Sequence, residues 1–208
     1  MKIGDIYRTL CELYGISDAL DIDHFLVMMR SNPADVEIHS RFSNREMLLV
    51  SQSGEFVEVG LYIAPAILTA LELREPLDCI EEFSCATEGA SHFLYVADRA
   101  PKGRCVSQLE LELQAEVDKF LLIHLAAANR SGTCAPDLFE RQFRRHGFDA
   151  SLTRDELERY ETASHFAAKF SSRLRERYFN PLSLSGLTAE ARKFFEQDLA
   201  GKLAVVIP

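Results

Sequence analysis

The chain has 208 residues, of which 47% are hydrophobic, and this is enough apolar material for a substantial core, so a largely disordered chain is excluded. No apolar run approaches the roughly 18 to 20 residues that cross a membrane, so we expect a cytoplasmic protein with no membrane partner. The net charge of −9 disfavours nucleic acid as a partner, above all for residues 1–104, which hold 17 Asp/Glu against 9 Lys/Arg.

Five cysteines are scattered along the chain without a C-x-x-C pair. An odd number of isolated cysteines is typical of reduced thiols rather than of a disulfide framework. Cys79 and Cys85 precede His92, but their spacing matches no recognised zinc motif. We therefore expect the cysteines to serve as small buried side chains.

The first third of the chain changes from a helical to a strand period. Apolar residues recur at helical spacing over residues 2–14 and Gly15 follows directly, which predicts an amphipathic helix with a glycine stop. Between residues 36 and 63 the pattern alternates on both sides of Ser53-Gly54, as in an antiparallel hairpin. Because a hairpin alone is only marginally stable, this sheet must pack on helices.

Two helices are predicted between the hairpin and the middle of the chain. Pro65 suits the first turn of a helix that runs to about residue 73. Residues 77–98 are apolar with embedded acids, and Gly89 is expected to break this stretch into two pieces because glycine is unfavourable inside a helix.

The best-specified helix covers residues 107–129. Ser107 and Glu110 form a capping-box pattern at its start. Its apolar residues fall on two roughly opposite faces, so we expect other elements to cover the helix from two sides. Two polar seams separate these faces, one with Glu110, Gln114 and Asp118, the other with Glu112, Glu116 and Lys119.

The rest of the chain is predicted to be mainly helical. Thr153 and Glu156 form a second capping box, which opens a long helix over residues 154–178. A final helix is expected at 188–199, and the apolar residues 203–208 suit one more strand.

These elements predict a mostly helical α+β fold. A small antiparallel sheet within residues 36–63 packs against a helical body built around the helix of residues 107–129. We treat residues 1–208 as a single domain. The Arg-Ser-Gly sequence that follows residue 129 leaves open a subdivision into an α+β part, 1–129, and a helical part, 133–208.

The second polar seam brings two acids close together. Glu112 and Glu116 lie one turn apart, and like charges at this spacing repel. The repulsion must be offset by Lys119, an arginine from another element, a shared proton or a metal ion. A solvated seam neutralised by cations is the plainer interpretation, and a functional carboxylate pair is the alternative.

A short motif occurs twice in the chain. The sequences of residues 88–93 and 161–166 share five of six positions, and each contains a Glu and a His four residues apart. On a helix, this spacing lets a carboxylate and an imidazole reach one ion. The second copy lies away from the buried stripe of its helix and is expected to face solvent. The candidate metal ligands are therefore Glu88, His92, Glu112 and Glu116, with zinc or iron as the ion.

The chain carries none of the common catalytic motifs, whether P-loop, G-x-G-x-x-G, G-x-S-x-G or H-E-x-x-H. The leading functional prediction is therefore a cytoplasmic binding or regulatory protein that has no cofactor and no catalysis of its own, with a protein partner or self-association. The alternative is a metal-dependent hydrolase or oxidase that uses the Glu/His cluster.

Overall fold

The computed structural model describes residues 1–17, 20–27, 45–54, 56–131, 136–143, 152–179 and 181–207. Within these ranges the chain forms eight α-helices and one two-stranded antiparallel sheet, which confirms the predicted fold class. The strands are β1 (Glu46–Ser53) and β2 (Phe56–Ile63). The helices are α1 (Ile3–Tyr14), α2 (Pro65–Leu73), α3 (Ile80–Arg99), α4 (Gln108–Ser131), α5 (Pro136–Phe143), α6 (Arg154–Tyr178), α7 (Leu184–Glu196) and α8 (Leu199–Val206).

The N-terminal elements follow the sequence pattern. Helix α1 ends at Gly15, whose left-handed φ of 67° closes the last turn. The hairpin pairs Glu46 with Ile63 at one end and Ser53 with Phe56 at the other. Residues 36–44, at the start of the predicted sheet, lie outside the described residues. The buried end of the hairpin contacts α3, so the sheet packs on a helix as expected.

Helix α3 runs unbroken through Gly89, so the expected break is wrong. A Cβ atom at this position would lie 2.7 Å from Ile63 Cδ1 and 3.3 Å from the Glu46 Cβ atom. Glycine is therefore present because the hairpin approaches the helix closely here, rather than because the helix ends. Because the helix is unbroken, the Glu and the His of the first motif copy lie on one continuous helix.

Helix α4 occupies the centre of the fold. It packs against α3 and against α6, and apolar side chains on both of its faces are buried. The Glu110 backbone N–H donates to Ser107 Oγ at 3.2 Å, which is half of the predicted capping box. The other half is absent among the described contacts, because the Glu110 carboxylate accepts a hydrogen bond from the Tyr95 hydroxyl at 2.5 Å.

The described C-terminal part consists mainly of helices, the last of which ends at Val206. The long helix α6 has the predicted bounds and a complete capping box between Thr153 and Glu156. The last predicted helix, 188–199, is present as α7 with bounds about four residues earlier, whereas the predicted terminal strand is wrong because residues 199–206 form α8. Asp198 explains the second helix, because its side chain caps the backbone N–H of Gly201 at 2.8 Å and starts a new helix. No helix in the described ranges is both long and apolar enough to cross a membrane.

Candidate metal centre

A buried cluster of ionisable side chains lies where α3, α4 and α6 meet. Helix α3 contributes Glu88 and His92 from consecutive turns, and α4 contributes Glu112. One possible ligand atom from each of these three side chains lies within 4.8 Å of the other two, and all three residues are buried. The helical spacing of the first motif copy therefore does place its Glu and His beside an acid of the facing helix.

The imidazole of His92 is the most unusual member of this cluster. Its Nε2 atom is buried and makes no hydrogen bond to any described residue, and the nearest acid oxygen, Glu112 Oε2, lies 3.6 Å away. Burial lowers the pKa of His92, but the carboxylates of Glu112, Glu88 and Glu46 outweigh it and raise the pKa to about 9. A buried ring nitrogen without a partner, surrounded by acids, is suited to a proton or to a metal cation.

Glu116 does not join the other three candidate ligands. Its carboxylate accepts a hydrogen bond from Lys119 Nζ at 2.6 Å, and the same ammonium donates to Glu88 at 2.9 Å. Burial alone would raise the pKa of Glu88, but the neighbouring Lys119, His92 and Arg45 lower it below its usual value. The sequence correctly anticipated Lys119 as a counter-charge, but the seam is buried rather than solvated.

Helix α6 completes the charge pattern with Arg159. The Arg159 Nε atom lies 3.9 Å from Glu112 Oε1, which is too far for a hydrogen bond. Across the helix interface, acidic and basic side chains therefore alternate along one row. In order, the row consists of Glu116, Lys119, Glu88, His92, Glu112 and Arg159.

Strand β1 supplies a fourth carboxylate that the sequence did not single out. Burial, and then the charge of Glu88, raise the pKa of Glu46 to about 7. The Cys85 thiol donates to Glu46 Oε2 at 3.0 Å, and burial and this carboxylate raise the thiol pKa well above its usual value. Cys85 is therefore a protonated hydrogen-bond donor rather than an activated nucleophile.

Two cavities border the cluster, and each is lined by different members of it. His92, Glu112 and Arg159 line one of about 720 Å³, which lies among the hairpin, the α3–α4 connection and the start of α6. Glu88 and Lys119 line another of about 430 Å³. The cluster is thus buried in the helix interface and still bordered by space for small molecules.

The second motif copy has a different environment. Glu161 and His165 are exposed on α6, as the sequence predicted. The identical Glu-to-His spacing therefore belongs to a buried cluster on α3 and to two exposed side chains on α6. The burial of each copy depends on which face of its helix is covered, and the motif itself carries no such information.

A separate buried polar network lies on the other seam of α4. Asp118 accepts hydrogen bonds from the hydroxyl groups of Tyr14 and Ser91 and from the Gln114 side chain. Lys202 Nζ donates to Gln114 Oε1 at 2.5 Å. Burial raises the pKa of Asp118 to about 6 even though these donors oppose the shift. The sequence predicted this seam but not its partners on α1, α3 and α8, which tie four helices together.

The Glu88, His92 and Glu112 set consists of two carboxylates and one imidazole, which are donor types that zinc and iron accept.

Comparison with protein-family models, curated proteins and solved structures found no match to this chain.

Proposed function

We propose that this protein is a metal-dependent hydrolase that binds zinc through Glu88, His92 and Glu112. The observation that carries the proposal is the buried His92 Nε2 atom, which lacks a hydrogen-bond partner among the described residues and lies 3.6 Å from Glu112 Oε2. Ligand atoms around a tetrahedral zinc ion are separated by roughly 3.4 Å, given bond lengths of about 2.1 Å. Since the candidate ligand atoms of all three residues lie within 4.8 Å of one another, they must move closer together to enclose an ion.

The number of ligands favours catalysis over a purely structural metal. Three protein ligands leave a tetrahedral ion one position for water, and zinc lowers the pKa of bound water to about 7. His92 and Glu112 line the cavity of about 720 Å³, so a substrate in that cavity has access to the ion. Hydrolysis is favoured over oxidation because the set has one imidazole, whereas the common non-haem iron triad has two.

The charges of the cluster support a second candidate, a cytoplasmic binding or regulatory protein without catalysis. Lys119 lies between Glu88 and Glu116, and Arg159 lies beside Glu112, so these acids have cationic neighbours without any metal. In this case the same residues serve to hold α3, α4 and α6 together, and the function depends on a protein partner or on self-association.

Zinc binding separates the two candidates. Protein purified without chelator is analysed for bound metals, then stripped and titrated with zinc chloride by calorimetry. We expect one zinc ion per chain, and we expect His92→Gln to weaken binding by at least about tenfold. The stripped and reloaded proteins are also compared in the hydrolysis of p-nitrophenyl acetate, where zinc should restore the activity that chelation removes.

The second motif copy provides a matched control for this experiment. His165→Gln changes an exposed histidine in the same local sequence and should leave zinc affinity unchanged. Substoichiometric binding in the wild type, or equal losses in the His92 and His165 variants, would exclude the metal site and leave the non-catalytic candidate.

A further inference from the structure

The large cavity beside the metal centre has a smaller neighbour that is lined by apolar residues. A second cavity of about 280 Å³ adjoins it, and the two share the side chains of Val57, Val96 and Ala100. The residues that line the second cavity are all apolar, and they include Phe25 and Phe93. The pair of cavities therefore presents polar side chains at the ion cluster and apolar side chains on the far side of the shared residues.

The hairpin leaves apolar side chains open to this space. Val50 is 53% exposed and Val57 is 38% exposed, and both line the large cavity. Adjacent apolar side chains that remain in contact with water beside a cavity are characteristic of a ligand-binding surface. An apolar group that enters the cavity would remove both valines from water.

The polar end of the same cavity holds a hydrogen-bond donor without an acceptor. Arg159 Nε is buried and has no hydrogen bond within the described part of the chain, and Glu112 Oε1 lies 3.9 Å away. Of the carboxylates at this end, Glu156 is engaged in the cap of α6 and Glu46 accepts the Cys85 thiol. Arginine in such a setting is suited to the oxygen atoms of an anionic group.

We propose that the two neighbouring cavities bind an amphipathic carboxylate, with its carboxylate on Arg159 and its apolar tail past Val57 in the second cavity. The proposal names the ligand class of the proposed hydrolase and rests on that function only in taking this cavity as the substrate site. Burial of the apolar tail and the charge-assisted hydrogen bond to the carboxylate then both contribute to binding affinity, at opposite ends of one ligand.

Calorimetric titration with octanoate tests the proposal on the full chain, both stripped of metal and loaded with zinc. Acetate lacks the tail and 1-octanol lacks the charge, so each should bind at least about tenfold more weakly than octanoate. Octyl phosphate tests the head group, since binding as tight as that of octanoate would extend the ligand class to other anionic amphiphiles.

Two variants address the two ends of the ligand. Arg159→Met removes the donor, Val57→Lys places a charge in the tail path, and each should weaken octanoate binding by about tenfold or more. The matched controls are Arg177→Met, an exposed arginine on the same helix, and Val205→Lys, since Val205 is 37% exposed and lies outside both cavities. Both controls should bind octanoate as the wild type does.

The outcomes also separate this proposal from the zinc proposal. Octanoate binding that depends on Arg159 in a chain that does not bind zinc would support the ligand class and overturn the hydrolase. Zinc binding without octanoate binding, octanol binding as tight as octanoate, or Arg159 and Val57 variants that behave like their controls would overturn the ligand class.

Discussion

Lys119 on α4 donates to Glu88 on α3 at 2.9 Å, and this ion pair joins the two helices inside the protein. The same ammonium contacts Glu116, so one cation serves two buried carboxylates. Since the Lys119 side chain is 12% exposed, water can replace little of this interaction. The stability of the helix interface and any ability to bind metal therefore depend on the same charges.

Removal of this cation should be costly. Lys119→Met leaves Glu88 and Glu116 buried without their shared partner, and loss of one member of a buried ion pair typically costs about 3 to 5 kcal/mol. Urea unfolding monitored by circular dichroism measures the change. The control is Lys102→Met, which removes an ion pair to Asp98 from a lysine side chain that is 56% exposed and should cost less than about 1 kcal/mol. Equal losses in the two variants would contradict the structural role of Lys119.

The contact between Gly89 and Ile63 predicts a double-mutant effect. Gly89→Ala should gain about 1 kcal/mol of helix propensity but lose more through the close contact with Ile63 Cδ1, with a net destabilisation of roughly 1 kcal/mol. Ile63→Val removes that methyl group. In the Ile63→Val background the alanine should therefore be neutral or stabilising in urea unfolding, and additive losses would show that the contact does not limit this position.

The ligand set makes a separate prediction for the two acids of the α4 seam. Glu112→Gln removes a proposed ligand and should weaken zinc binding by at least about tenfold. Glu116 lies one turn away and contacts Lys119, so Glu116→Gln should change zinc affinity by no more than about threefold. Zinc titration of both variants, with circular dichroism to verify folding, makes the comparison. A larger effect at Glu116 would place it among the ligands.

The buried His124 predicts a loss of stability in acid. Burial lowers the pKa of His124 to about 4, whereas an unfolded histidine has a pKa of about 6.5. Between these values the unfolded chain binds a proton at His124 that the folded chain does not. The contribution of His124 to the stability of the fold therefore falls as the pH falls. The histidine should cost about 2 kcal/mol between pH 8 and pH 5.

His124→Phe should lack this loss. The measurement is the free energy of unfolding by urea at pH 8 and at pH 5, compared between the variant and the wild type. Asp118, Glu46 and His92 contribute with the opposite sign, because their raised pKa values make the folded chain bind the proton first, but these contributions are common to both proteins. The exposed control His165→Gln should keep the pH dependence of the wild type. A His124→Phe variant with the same loss would show that other groups cause it.

The fold was predictable where local sequence determines local structure. The glycine after α1, the alternating hairpin and the Thr153 capping box each act within a few residues, and the structure has all three. The seams of α4 were also readable, since helical geometry places Glu112 and Glu116 on one side. Of the wrong predictions, the terminal strand overlooked the local Asp198 cap, whereas the break at Gly89 depended on a contact with the distant Ile63.

The composition of the candidate site was harder to predict for the same reason. Arg159 lies 47 positions beyond Glu112 in the numbering, and Glu46 lies 42 positions before Glu88, so no short pattern links these pairs. The buried stripe of α6 predicted that the second motif copy faces solvent, but no comparable sign in the sequence indicated that the first copy is buried. That difference arises from which helix faces are covered, which is a property of tertiary packing.

Helix α4 carries Glu116 and Asp118 two positions apart, and each belongs to a different buried polar network. A turn of the helix about its axis by one residue, about 100°, would pull both acids away from their cations and donors at once. The leucine, valine and alanine side chains on its two apolar faces do not need partners in a fixed direction in the same way. We therefore expect ionic contacts, rather than hydrophobic fit, to fix the rotational register of this helix.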